Sequence, residues 1–332
     1  MSDLIDRLQQ FLLARGQPAG FEPLTADAST REYFRITWDG ESAVACVYPQ
    51  AFDAAEQSFL DVTRLFLAGG LPVPEIIVFD GELGVIVQED LGDRILLDVL
   101  TKADEEKRSK LLDEAISLIA KIQAATDRAF ETNSIASRLK FDTEKLLWEL
   151  NYFKEHFFGT YLKEPLSDED DVRITREFLE ISEELETFAS VLCHRDFHAA
   201  NLMLDPRDKM RIIDHQDARI GSPAYDLVSL LLDRTTEIPT ADWLAEKWDL
   251  FHAVREKLGL SQIDESEFAY AFLLQTIQRC LKAAGTFSFQ SETRGKTYFI
   301  PFIKPMLQIS IQAALSLDRF PAIQEILARE LE

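Results

Sequence analysis

The sequence predicts an α+β fold in two unequal lobes: a small sheet-rich lobe over residues 1–92 and a larger, mainly helical lobe over residues 93–332. Three observations predict it. Strand patterns with hairpin turns crowd the first ninety residues or so. Helical periodicity dominates from 95 to 190 and again from Tyr225 to the end. Between those helical stretches, 201–214 returns only briefly to strand, around a polar turn. No repeat, low-complexity tract or linker interrupts the pattern, and Glu89–Gly92 is the expected hinge.

The elements follow in order. "MSDLIDRLQQFLLARG" reads as a short amphipathic helix, because its apolar residues recur at helical spacing. It has neither the basic start nor the long apolar run of a secretory signal, so a cytoplasmic location is expected. "YFRITWDGESAVACVY" is two apolar runs joined at Asp39–Gly40, a dipeptide that supplies the left-handed backbone of a tight hairpin. "DAAEQSFLDVTRLFLAGG" carries a helical stripe of Phe59, Val62, Leu65 and Phe66 with a glycine stop. "PEIIVFDGELGVIVQEDLG" is a second hairpin turning near Gly81. Helices are then expected in "EEKRSKLLDEAISLIAKIQAA" and "EKLLWELNYFKEHFF". Pro239, Pro301, Pro305 and Pro321 punctuate the helical remainder.

Composition narrows the function. With 46% hydrophobic residues the chain can fill a substantial core. A formal charge of −23 argues against a nucleic-acid partner, which needs clustered lysine and arginine. No stretch reaches the ~18 apolar residues of a membrane span, so no membrane partner is expected. Three scattered cysteines, Cys46, Cys193 and Cys280, suit a reducing compartment and give no zinc pattern. The expected partner is a small molecule, met by a monomer.

The chemistry concentrates in "VLCHRDFHAANLMLDPRDKMRIIDHQDARIGSPAYDLVSLLLD", residues 191–233. Asp196 follows His194 by two residues, Asn201 lies five beyond Asp196, and Asp214 ends the next apolar strand. A loop, a short hairpin and an acid at a strand end would bring these side chains together. Phosphoryl transfer from ATP requires this set: one carboxylate takes the proton of the attacking hydroxyl, while a carboxylate and an amide oxygen hold Mg2+. Magnesium keeps several waters, so two protein oxygens suffice.

"HRDFHAAN…IIDHQD…SPAYDLVSLL" resembles the catalytic segment of the aminoglycoside phosphotransferase and choline kinase group, relatives of protein kinases. "DASTREYFRI", "QEDLGDRILLDVL", "ELNYFKEHFF" and "QRCLKAAGTF" resemble segments of one branch, the bacterial N-acetylmuramate/N-acetylglucosamine anomeric kinases. The resemblance implies a bilobal protein-kinase-like fold, with ATP and Mg2+ as cofactors. It assigns the base to Asp196, the metal to Asn201 and Asp214, and bracing of the loop to His194 and Asp226. His198 stands where protein kinases carry a lysine that helps neutralise the phosphoryl group. Ser29 and Thr30 fall in the nucleotide loop, and Glu89 and Leu91 at the hinge.

Two features depart from the kinase pattern. The nucleotide loop has no glycine between Thr25 and Arg35, and no lysine occurs before Lys102 to hold the phosphates from the small lobe. Arg31 and Arg35 are the nearest cations there, with Glu56, early in the following helix, as a candidate partner. For the acceptor, Arg279 and Lys282 share a helix face three residues apart, and Glu149, Asn151 and His156 lie in an aromatic-rich stretch. Trp148, Tyr152 and Phe153 are expected in the core. The expected activity is phosphorylation of an N-acetylated amino sugar at its anomeric hydroxyl. The alternatives are a choline, ethanolamine or aminoglycoside kinase and, in another class, a pseudokinase that only binds nucleotide.

Overall fold

The computed structural model describes residues 2–24, 31–235 and 238–331. A helix, α1 (Ser2–Ala14), precedes a five-stranded antiparallel sheet of order β1-β2-β3-β5-β4. Its strands are β1 (Phe21–Leu24), β2 (Glu32–Trp38), β3 (Glu41–Val47), β4 (Ile76–Asp80) and β5 (Val85–Glu89), with α2 (Ser58–Ala68) inserted after β3. The Asp39–Gly40 turn forms as expected: both residues have positive φ, 49° and 87°, and Trp38 pairs with Glu41. Strand β1 escaped the sequence reading because Pro23 weakens its pattern. At the sheet edge the missing N–H costs nothing, since β1 pairs only with β2.

The two faces of the sheet have different tasks. Phe34, Ile36, Ala43, Ala45, Val47, Val85 and Val87 pack with Leu8, Phe11 and Leu12 of α1. The alternate residues Tyr33, Arg35, Val44 and Cys46 therefore point the other way, as the two-residue period of a strand requires. That second face is completed by Ile86 with Phe59 and Leu60 of α2. Helix α2 begins at Ser58, capped by the Gln57 side chain, and ends at Gly69–Gly70, where Leu71 N–H returns to the Phe66 carbonyl. Glu56 thus lies in the exposed turn before the helix, not within it.

Beyond the hinge come α3 (Leu96–Lys102), α4 (Glu105–Ala124), α5 (Thr126–Glu131), α6 (Ile135–Arg138) and α7 (Thr143–Lys154). Helix α7 continues as a π-helical turn over Glu155–Leu162, and α8 (Asp168–Thr187) follows. Two short two-stranded sheets then interrupt the helices: β6 (Val191–Cys193) pairs with β9 (Arg219–Gly221), and β7 (Leu202–Leu204) with β8 (Met210–Ile212). The β7–β8 turn is closed by Asp205, whose Oδ1 accepts from Arg207 N and Lys209 N. The chain finishes with α9 (Tyr225–Leu232), α10 (Ala241–Lys257), α11 (Glu265–Arg294), α12 (Ile300–Ser316) and α13 (Pro321–Arg329). Pro305 lies inside α12 instead of ending it; the N–H it lacks would have faced Pro301, still near the helix start.

One continuous core fills the large lobe, and Val62, Leu65 and Phe66 of α2 belong to it. The inner face of α2 is therefore tied to the catalytic segment as well as to the sheet. Phe153, fully buried, joins this core, but Trp148 does not: it is 55% exposed, contrary to expectation, with Lys145 Nζ over its ring at 4.0 Å. A core stripe on α7 needs only one face, and Leu146, Glu149, Leu150 and Phe153 already occupy it.

Candidate active site

The loop after β6 is held from behind. Asp226, fully buried at the start of α9, accepts from His194 N at 2.7 Å and Arg195 N at 3.1 Å. Burial raises its pKa, although both N–H contacts favour the charged form. These bonds hold Arg195 in the left-handed region, φ 88°, a conformation that a side chain adopts only under constraint. Buried His194 donates from Nε2 to the Ile213 carbonyl at 2.9 Å, since a carbonyl can only accept.

The same bond network closes the site. Ile213 N donates to the Asn201 carbonyl at 3.1 Å, and Asn201 Nδ2 donates to the Asp196 carbonyl at 3.0 Å. Asn201 Nδ2 also lies 3.5 Å from Asp214 Oδ2, so Asp196, Asn201 and Asp214 converge. Asp214, at φ 61°, turns its carboxylate out of the strand and keeps it 40% exposed. With Nδ2 engaged, Asn201 offers Oδ1. A carboxylate and an amide oxygen side by side are hard donors and fit a magnesium ion.

Sequence reasoning missed His215. It is fully buried, lies between the rings of Phe59 and Phe66 at 5.0 and 5.5 Å, and meets Thr63 Oγ1 at 2.6 Å. The Thr63 hydroxyl donates to the Phe59 carbonyl, so its oxygen accepts from His215 Nε2–H. This side chain couples α2 to the residue beside Asp214. Its position after "IID" was visible, but its apolar pocket comes from residues over 140 positions away.

Of the small-lobe cations, only one reaches Asp214. Arg31 Nη2 lies 3.5 Å from Asp214 Oδ1, and its guanidinium stands 5.8 Å from the ring centroids of both Tyr33 and Tyr48. Tyr33 shares its sheet face with Cys46 of β3, the strand on which protein kinases place their lysine. Arg35 is directed elsewhere. Asp90 binds it at 2.7 and 3.2 Å and Asp93 at 2.8 Å, so two hinge-side carboxylates already neutralise it. Glu56, exposed before α2, makes no ion pair with Arg31 among the described residues. Glu89 is gripped by Arg211 of β8 at 2.8 and 2.5 Å, linking the hinge to the large lobe, and Leu91 beside it is buried. Ser29 and Thr30 lie outside the described residues.

Around Asp196 the structure gathers positive charge. Lys282 Nζ lies 3.0 Å and Arg279 Nη2 3.2 Å from Oδ1, and Arg195 Nε lies 3.7 Å from Oδ2. Burial alone would raise the pKa of Asp196, but Lys282, Arg279 and Arg195 outweigh it and hold the carboxyl well below its usual range. Arg279 is 2% exposed and also binds Ser229 at 3.0 Å and Asp233 at 3.3 Å. All of these contacts run through Nη2, while Nε and Nη1 are buried without a hydrogen-bond partner. Asp233 and Ser229 went unnoticed in the sequence, though both follow Asp226 at helical spacing. Glu149 is buried behind these groups, accepting from Gln278 Nε2 at 2.9 Å and paired with Lys145 at 3.7 Å. His156 bonds Thr160 at 3.1 Å and packs on Tyr152.

Desolvation drives the pKa of half-buried His198 down to about 4, which favours its neutral form. Burial likewise takes His215 to about 3. Both histidines bind protons more weakly folded than unfolded, where 6.5 applies. Stability is therefore fully present above pH ~6.5 and declines as the pH falls toward 4, by at most about 1.4 kcal/mol per pH unit for each histidine. Urea unfolding of metal-free protein from pH 7.5 to 4.5 should show this slope, and His215→Phe should flatten it.

The chain can now be set beside known proteins. The profile of the phosphotransferase enzyme family matches residues 20–260. An N-acetylmuramate/N-acetylglucosamine kinase of Neisseria meningitidis serogroup B is 31% identical, over 85% of this chain and 82% of that one. One of Caulobacter vibrioides is 27% identical, over 98% and 86%. Among solved structures, a microcompartment-associated aminopropanol kinase superposes with a TM-score of 0.62 at 16% identity, covering 93% of this chain and 97% of its own. Among the described residues no helix is long and apolar enough to cross a membrane. With an antiparallel sheet in the first ninety residues, a mainly helical remainder and the segment 191–233 inside the matched range, the chain belongs to the phosphotransferase enzyme family, as a small-molecule kinase of the bilobal protein-kinase-like fold.

Proposed function

We propose that the protein uses ATP and Mg2+ to phosphorylate the anomeric hydroxyl of an N-acetylated amino sugar, with N-acetylmuramate and N-acetylglucosamine as the acceptors. The observation that carries this reading is the convergence of Asp196, Asn201 and Asp214. Asp196 accepts the proton of the attacking hydroxyl. Asn201 and Asp214 would hold Mg2+, which when bound supplies charge neutralisation on the nucleotide phosphates. Arg31 adds positive charge from the small lobe, while Glu89 and Leu91 form the wall where the adenine meets the hinge.

The electrostatics favour this acceptor class. A carboxylate held at low pKa by three cations is a weak base, and it suits an acidic hydroxyl better than an ordinary alcohol. An anomeric hydroxyl is the more acidic kind. Lys282, paired with Asp196 alone among the described residues, disfavours choline, ethanolamine and aminoglycosides, all of which bring positive charge toward Asp196. The relatives named as amino-sugar kinases support the same choice. A pseudokinase would have no use for a base held in this way.

A panel of hydroxylated acceptors with Mg·ATP, scored by 31P NMR of the product, tests the reading. Sugar 1-phosphate is expected, and phosphocholine as sole product would overturn the acceptor. Arg31→Met is expected to raise KM for ATP about tenfold, the loss of ~1.4 kcal/mol of phosphate attraction. Arg35→Met, whose guanidinium faces the hinge, should leave KM within a factor of about two and read out instead as lower stability.

A further inference from the structure

Phosphoryl transfer spreads negative charge over the three equatorial oxygens of the group in flight, and an enzyme needs a fixed cation there in addition to the metal. The catalytic loop does not provide one. His198, in the position two after Asp196, is half-buried, and an imidazole is mostly neutral at pH 7 even at its ordinary pKa. Three cations stand close to Asp196, and two of them also pair with another carboxylate. Arg195 Nη1 is bound by Asp217 at 3.0 Å, and Arg279 by Asp233 and Ser229 as well as Asp196. Lys282 differs: its side chain is 17% exposed, and Asp196 is its one ion-pair partner among the described residues.

We propose that Lys282, delivered from α11, is the catalytic cation that meets the transferred phosphoryl group. The proposal rests on the phosphoryl-transfer reading given above. In the step, the acceptor oxygen bonds to phosphorus as the bond from phosphorus to the nucleotide bridging oxygen breaks, and that electron pair leaves with the nucleotide. The acceptor proton passes to Asp196. Protonation cancels the charge that held Lys282, so the ammonium is released from Asp196 while the phosphoryl oxygens arrive. One side chain thereby holds the base in place beforehand and stabilises the charge afterwards.

The placement of α11 makes this precise enough to work. Gly285, one turn beyond Lys282, has its Cα so near α7 that a Cβ there would meet Phe153 Cα at 2.5 Å. The two helices are thus locked at close range beside the site. Helix α11 also begins at Glu265, beyond residue 260, where the family match ends.

The test compares Lys282→Met and Lys282→Arg with wild type in kcat, KM, and affinity for ADP, acceptor and fluoroaluminate, which together mimic the transferring group. Lys282→Met should lower kcat by about 10²–10³-fold with little change in KM, and weaken the fluoroaluminate complex by a similar factor. Lys282→Arg should restore at least about a tenth of the rate. Unaltered kcat in Lys282→Met overturns the proposal. So does a lower kcat with unchanged fluoroaluminate affinity and a raised acidic limb in the pH profile, which would confine Lys282 to positioning Asp196. If wild-type protein moves no phosphoryl group from Mg·ATP to any sugar, the reading beneath it fails instead.

Discussion

Asp196→Asn is expected to lower kcat by about 10²–10⁴-fold, the usual loss when a general base is removed. The amide keeps the size and one acceptor oxygen but cannot take the proton. The structure adds a second expected effect. Lys282, Arg279 and Arg195 all lean on this carboxylate, so its loss leaves them with Asp233 and Asp217 alone. For a fully buried pair that penalty is about 3–5 kcal/mol. Side-chain exposures of 22% for Asp196 and 17% for Lys282, with the retained amide oxygen, reduce the expected loss to about 1–2 kcal/mol. Turnover and urea unfolding measured on the same preparation check both effects. Wild-type turnover would remove Asp196 from the chemistry. Because the cations depress its pKa, the acidic limb of kcat/KM due to Asp196 should lie below the ordinary carboxylate range.

Asp214→Ala should lower kcat by about 10²–10³-fold by removing the carboxylate assigned to the metal. Arg31 makes the nucleotide result diagnostic. It sits 3.5 Å from Asp214, whose removal takes away a carboxylate that competes with phosphate for the guanidinium. Calorimetry should therefore find that Mg2+ no longer strengthens ATP binding, while ATP alone binds as well as to wild type or more tightly. A variant that keeps the magnesium dependence would place the metal elsewhere. Asn201→Ala should lose less, because an amide contributes no formal charge; it would still free the Asp196 carbonyl it now holds.

The sequence determined what depends on neighbours along the chain. The Asp39–Gly40 turn, the glycine stop after α2, the β7–β8 hairpin and the helical periods are each set within a few residues, and each forms. The spacing of His194, Asp196, Asn201 and Asp214 was legible for the same reason: one loop and one short hairpin bring them together. Charge and contact between distant residues were decided only by tertiary structure. His198 and His215 are visible as letters, but only the fold's desolvation lowers their pKa values. Arg31 immediately precedes β2 and Arg35 lies within it, and the packing of the lobes gives Asp214 to the first and the hinge acids to the second. Arg279 and Lys282 were readable as one helix face, yet Asp196 lies more than eighty residues earlier. No local pattern encodes which loop a helix face will meet, because that is fixed by how the whole core closes around α11.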